Sequence, residues 1–160
     1  MDDSARIRPA IEDDALGLWQ LRAAAIRHGA REHYSPEQIE VWVGRRTPES
    51  YHASIRKGRI VAAEDANGTV VGFGQLEPET REVEAVYVQP AWTRRGIGTR
   101  LLRTLEERAR TAGLERLHLD ASLNAVPFYE QSGYRIEHEV LHPLGARLVL
   151  AFVFMTKPLG

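Results

Sequence analysis

The chain has 160 residues, 43% of them apolar and 27% charged, with 21 basic against 22 acidic side chains and no cysteine. That length suits one domain with one core, and the absence of cysteine excludes a disulfide framework, a thiolate metal site and a thiol nucleophile. A formal net charge of −1 argues against a general nucleic-acid or anionic-membrane binder, so any anion site must be local.

No apolar run approaches the roughly 18 residues of a membrane helix; the longest, Leu148 to Met155, has strand length. The opening MDDSARIRP carries early acids and no apolar stretch, so no secretory signal is expected and the cytoplasm is the expected compartment. Residues 5–9 read as a first strand, and residues 12–30 as a helix with Leu16, Trp19, Ala23 and Ile26 sharing a face. Ser35-Pro36-Glu37 is a helix start, with serine at the cap and proline in the first position, and it opens a helix over 36–44 carrying Ile39, Trp42 and Val43. A further helical turn falls near 48–56.

The period then changes. Residues 59–64 and 69–76 flank Ala-Asn-Gly, a hairpin signal, and 81–88 (REVEAVYV) make another strand. A helix follows over 96–112, then a strand at 114–120, a short helix at 124–131 ended by Gly133, and strands at 133–140 and 146–156. Strands that alternate with helices in this order predict a mixed α/β single domain, residues 1–160, with some parallel pairing.

The junction at Tyr87–Leu105, YVQPAWTRRGIGTRLLRTL, holds the chemistry. Proline stops the strand. Gly96 and Gly98 allow a tight turn and a close ligand, and the next helix opens with unpaired N–H groups and the positive end of its dipole. Arg94, Arg95 and Arg100, with Arg103 beyond, add positive charge, which suits a polyanion such as a pyrophosphate. The P-loop pattern lacks its Gly-Lys-Ser/Thr here, and the dinucleotide pattern lacks its third glycine because position 101 is leucine. An ordinary surface turn with solvated arginines is the plain alternative.

The combination resembles the Gcn5-related N-acetyltransferase (GNAT) superfamily. Val86-Tyr87-Val88 matches the family's V-x-V strand end, and Thr93-Arg94-Arg95-Gly96-Ile97-Gly98 its Gln/Arg-x-x-Gly-x-Gly/Ala loop, with Thr93 departing from the Gln/Arg position. The resemblance implies a V-splayed mixed sheet of about seven strands flanked by helices. It implies that amides of residues 94–99 (Arg94, Arg95, Gly96, Ile97, Gly98, Thr99) hold the pyrophosphate of acetyl-CoA. The backbone of Val86, Tyr87 and Val88 would run beside the pantetheine arm.

The stretch from Asp120 to Tyr134 points to the same superfamily. Ala125, Tyr129, Glu130, Gly133 and Tyr134 match its Asn-x-x-Ala-x-x-x-Tyr-Glu-x-x-Gly-Phe/Tyr pattern; Ser122 holds the asparagine position and Asn124 lies two residues later. By resemblance Tyr129 lies near the CoA sulfur and is the candidate general acid, while Asn124 caps the helix or reaches the pantetheine arm. Phe128 reads as core.

Glu82 and Glu84 are the candidate general bases. Strand alternation places them on the side of Val86 and Val88. Glu82 matches the register of histone-acetylating members, and Glu84 is nearer the expected thioester and is slightly preferred; both also read as solvent-facing strand charges. None of the six histidines makes a spaced metal pair with a third ligand, so no metal is expected. His142 borders the acceptor side or the surface.

The segment from Ala30 to Trp42 resembles the bacterial YafP-type acetyltransferases, and Tyr34 and Trp42 are the candidate substrate-binding residues, with burial as the alternative for Trp42. The resulting expectation is an N-acetyltransferase acting by direct transfer from acetyl-CoA to an acceptor amine in a ternary complex. The alternative is a catalytically silent acyl-CoA-binding sensor or partner subunit. No nucleic-acid or membrane partner is expected, and homodimers are frequent in this superfamily.

Overall fold

A computed structural model describes residues 5–160; the first four residues, and with them part of the acidic opening, lie outside the described set. The strands are β1 (Arg6–Pro9), β2 (Ile60–Glu64), β3 (Val70–Glu77), β4 (Glu82–Val88), β5 (Arg116–Ser122), β6 (Arg135–Leu144) and β7 (Leu148–Pro158). The helices are α1 (Ala15–Gly29), α2 (Pro36–Val43), α3 (His52–Arg56), α4 (Ile97–Thr111) and α5 (Val126–Gln131), and short 3-10 turns precede α1, α3 and α5. All seven strands form one sheet in the order β1-β2-β3-β4-β5-β7-β6, flanked by helices on both faces, as the resemblance implied.

Every neighbouring pair is antiparallel except β4–β5. These two run parallel and share a single register pair, Glu82 with His118, at the base of the split. From Val83 onward the sheet is open between them.

Helix α4 closes one face. Its leucine stripe, Leu101, Leu102 and Leu105, is fully buried against β2, β3 and β4 together with Ile97 and Ala109. The approach is close because β3 carries Gly72 and Gly74 beneath it. A Cβ on Gly72 would lie 3.1 Å from both Ile97 and Leu101, and one on Gly74 would lie 3.0 Å from Leu105. Helices α1 and α3 close the other face through Leu18, Leu21, Tyr51, Ile55 and Phe73. A third cluster, with Ile26, Tyr34, Ile39, Val43 and Leu150, packs α1 and α2 on the β6–β7 hairpin. In α2 the cap works as its sequence implied: Gln38 N donates to Ser35 Oγ at 3.1 Å, and Ser35 N to Gln38 Oε1 at 2.8 Å.

Two expectations change. Leu16 is 55% exposed, and the buried stripe of α1 runs instead through Ala15, Leu18, Arg22 and Ile26. An arginine in mid-stripe hid that register. The final hairpin also runs on to Leu144 and Pro158, past the expected ends at 140 and 156. Pro143 does not stop β6, because β6 is the sheet's edge and a missing donor there costs no ladder bond.

Buried Glu106 on α4 ties the helix to the sheet. It accepts from the Tyr134 hydroxyl at 2.9 Å and from Lys157 Nζ at 3.1 Å, while Lys157 also donates to the Ser132 carbonyl at 2.8 Å. Removing one partner of such a pair leaves a buried charge uncompensated. Lys157→Met is expected to destabilise the fold by about 3 kcal/mol, read as a lower urea midpoint at unchanged m-value.

Candidate active site

Strand β4 leaves the sheet through a 3-10 turn at Pro90–Trp92 and enters α4 through a tight loop. Gly96 holds φ +81°, the left-handed conformation that a Cβ disfavours, and Arg94 takes φ 66° without that licence. The first helical amide with an acceptor is that of Arg100, which donates to the Gly96 carbonyl at 3.0 Å. The N–H groups of Ile97, Gly98 and Thr99 have no intrahelical partner and point along the axis at the positive end of the dipole. Gly98 serves a different need: a Cβ there would lie 3.2 Å from the Phe128 ring.

These groups line a cavity of about 280 Å³, with Val86, Val88, Arg94, Gly96, Ile97, Gly98, Thr99 and Tyr129 on its walls. Gln89 N donates to the β3 carbonyl of Val71 at 2.8 Å, so by strand alternation the N–H groups of Val88 and Val86 face the opposite edge. That is the edge left open by β5. The loop arginines disperse. Arg95 lies over the Trp92 ring at 4.5 Å, Arg100 donates to the Ala5 carbonyl at 2.7 Å, and Arg103 borders a separate hollow beside Lys157. Of the four, only Arg94 stays at this cavity, so the backbone and the dipole supply most of its positive character.

A second cavity of about 170 Å³ lies on the opposite face of β4, between α1, α2 and the split. Trp42, Tyr51, Tyr87 and Phe152 give it aromatic walls, and Arg22, Arg46, Glu84 and Asp120 give it charge. The two cavities share Val86, Ala125 and Tyr129. Tyr129 is 7% exposed, its ring held edge-on by Phe128 at 5.0 Å and by Tyr134 at 5.7 Å. Burial, and then the neighbouring Tyr87 phenol, push its pKa up, so it keeps its proton.

The carboxylates do not sit where alternation predicts. Gln75 pairs with Ala85 and Leu76 with Val83, so Glu84 is an extra residue in a β-bulge. The phase flips there. Val83 joins Val86 and Val88 beneath α4, while Ala85 and Tyr87 face α1. Glu82 and Glu84 therefore lie on the Tyr87 face rather than on the side of Val86 and Val88. Glu84 accepts from Arg46 Nη2 at 2.9 Å. Glu82 sits behind it, and burial, then the charges of Glu84 and Asp120, push its pKa up to about 7.

Three other sequence candidates lie away from both cavities or on the other face. Tyr34 is buried in the third cluster: its hydroxyl donates to the Ala151 carbonyl at 2.6 Å and accepts from Leu123 N at 3.0 Å, tying the α1–α2 loop to β7 and the α5 entry. It supports Trp42, 5.5 Å away between ring centres, rather than lining the site. Asn124 is turned toward α1, where its Nδ2 would lie 3.0 Å from a Cβ on Gly29, and it caps no helix. Tyr87 faces the second cavity and packs on Phe73 at 5.6 Å, away from the glycine-loop cavity.

Sequence reasoning passed over Arg22, Arg46, Tyr51 and Asp120. Arg22 lay hidden in a helical stripe, and Tyr51 in the least regular predicted helix. Asp120 and His142 meet only through β7, which lies between their strands; His142 Nε2 is 2.9 Å from Asp120 Oδ2. No cluster of three potential metal ligands occurs among the described residues, and no helix there is long and apolar enough to cross a membrane.

Residues 30–150 match the family model described as an acetyltransferase (GNAT) domain. Over 134 residues the chain is 31% identical to the N-acetyltransferase YafP of Escherichia coli strain K12, covering 83% of each sequence. Its fold superposes with a TM-score of 0.87 on the GCN5-related N-acetyltransferase from Rhodopseudomonas palustris, at 30% identity over 97% of this chain and 96% of that one. It superposes with a TM-score of 0.80 on the PaiA N-acetyltransferase from Thermoplasma acidophilum in complex with coenzyme A; at 24% identity, over 97% and 99% of the two chains, that is a likeness of fold.

Removing the Tyr34 hydroxyl orphans a buried donor and a buried acceptor together. Tyr34→Phe is expected to cost about 2 kcal/mol in urea unfolding, with CoA affinity changed far less than stability.

Proposed function

The chain belongs to the GNAT acetyltransferase family, and from that premise we propose that it transfers the acetyl group of acetyl-CoA directly to an acceptor amine within a ternary complex. Residues 1–160 act as one acetyltransferase domain in this reading. The observation that carries it is the pair of cavities on opposite faces of β4 that meet at Val86, Ala125 and Tyr129. The cavity at the glycine loop suits the donor, whose pyrophosphate would rest on the amides of Ile97, Gly98 and Thr99 with its pantetheine arm along the free edge of Val86 and Val88. The aromatic cavity suits the acceptor.

The reaction must take two protons from the acceptor nitrogen and give one to the departing thiolate. An ammonium acceptor must lose a proton before its lone pair attacks the thioester carbon, and Glu82, its pKa raised to about 7, is suited to take it through a bridging water, since it lies next to Glu84 and lines neither cavity itself. Glu84 is engaged in an ion pair with Arg46 and is the lesser candidate. The N–H of Val86 is placed to polarise the carbonyl as negative charge develops on its oxygen. As the tetrahedral intermediate collapses, the C–S bond breaks, the departing thiolate takes the phenolic proton of Tyr129, and the second proton of the attacking nitrogen returns to that phenolate, directly or through water. No acyl-enzyme is required, in keeping with a chain that has no cysteine.

The primary test is thiol release from acetyl-CoA against a panel of amines, with the acetylated product identified by mass. Tyr129→Phe is expected to bind CoA normally and lose roughly 10²-fold in kcat; an unchanged rate removes Tyr129 from the mechanism. Glu82 is a base only when deprotonated, so kcat/KM should rise with pH up to about 7 and then level. In Glu82→Gln that limb should disappear, with the residual rate at least roughly 10²-fold lower.

A further inference from the structure

Two donors in the acceptor cavity, Arg22 and Tyr51, have no anionic partner among the described residues, and a third, Arg46, shares only part of its guanidinium with an acid. Arg22 is only 5% exposed and lines that cavity. Its Nη1 and Nη2 donate to the carbonyls of Val43 and Trp42, each at 3.0 Å, and the Tyr87 phenol takes a further contact. A guanidinium has five N–H donors, and no carboxylate lies within ion-pair distance of this one among the described residues. Tyr51, 1% exposed, lines the same cavity, and its hydroxyl has no hydrogen-bond partner among the described residues. Arg46 flanks it, its guanidinium carbon 5.7 Å from the Tyr51 ring centre. Arg46 does have an acid, Glu84, but through Nη2 alone.

A buried cation without a counter-ion and a buried hydroxyl without an acceptor are both costly. Their meeting in one cavity indicates that the missing anion arrives with a ligand. The cavity also carries acids: Glu84, paired with Arg46, and Asp120, paired with His142, lie on either side of the split, with Glu82 next to Glu84. A simple amine would meet these acids and leave Arg22 and the Tyr51 hydroxyl without an anion; a simple acid would do the converse.

Resting on the acetyltransferase reading above, we propose that Arg22, Arg46 and Tyr51 form a receptor for a carboxylate borne by the acceptor, which is therefore a small zwitterion of the amino-acid class. The amine faces the carboxylates of β4 and β5, close to Tyr129, and the acid faces α1 and the α2–α3 loop. The size agrees. A cavity of roughly 150 Å³ holds a benzene-sized molecule, so about 170 Å³ accommodates a compact amino acid. The rings of Trp42, Tyr51, Tyr87 and Phe152 favour an apolar or aromatic side chain.

The experiment compares α-, β- and γ-amino acids with their methyl esters and decarboxylated amines. Turnover is measured with acetyl-CoA, and binding by calorimetry on CoA-saturated enzyme. At least one acid is expected to exceed its ester and its amine by tenfold or more in kcat/KM, and to bind the CoA complex where they do not. Tyr51→Phe removes a hydroxyl that has no partner among the described residues, so folding is spared; the acid-to-ester ratio should fall about tenfold, the worth of a hydrogen bond to a charged group. Arg22→Lys, checked for retained CoA binding, should lower the same ratio. Esters or amines used as well as the acids, a ratio unmoved by Tyr51→Phe, or no acid bound at all would overturn the proposal. Turnover of plain amines would leave acetyl transfer standing, whereas absent CoA binding would remove both.

Discussion

The split between β4 and β5 is the constraint on which everything else depends. Two parallel neighbours are held together at one register pair and then part. A continuous sheet there would have used the N–H and C=O groups of Val86 and Val88 in a ladder. Because it is open, that backbone is free to meet an extended ligand, and side chains on both faces of β4 can approach one point. The split is stable because each half is anchored elsewhere. Helix α4 clamps β2, β3 and β4, and β5 leans on the long β6–β7 hairpin. The buried Glu106 with Tyr134 and Lys157 then joins the two halves across the core.

The bulge at Glu84 refines this frame. One surplus residue turns the glutamates from the donor side of the strand to the acceptor side, and it does so without disturbing Val86 and Val88. In the proposed reaction, proton removal would thereby be separated from thioester binding by the thickness of one strand. Arg46 pairs with Glu84 and leaves Glu82 as the half-buried carboxyl whose proton is lost near neutrality. Two acids only two residues apart acquire different environments, one ion-paired and one half-buried.

Local patterns in the sequence carried far. The leucine stripe of α4, the Ser-Pro start of α2, the Asn-Gly hairpin and the glycine loop are each specified by residues within a turn or two of one another, and each takes its expected form. The junction also pointed to the right superfamily, because a strand end, a glycine turn and a helix start are contiguous in the chain. What stayed hidden depends on distant partners. The bulge is a mismatch between β3 and β4, invisible to a count of alternating residues. Arg22 looks like an interruption of an apolar stripe until the carbonyls of Val43 and Trp42 come within its reach. Tyr34, a natural candidate for a cleft, is a structural tie because Ala151 and Leu123 meet at its hydroxyl. Such roles are set by chain segments up to 117 positions away.

The two chambers also bear on traffic. One opens on the α4 side of β4 and the other on the α1 side, with a common partition at Val86, Ala125 and Tyr129. Molecules that enter through opposite doors do not queue behind each other. In the proposed reaction, spent coenzyme and modified amine would then have separate ways out.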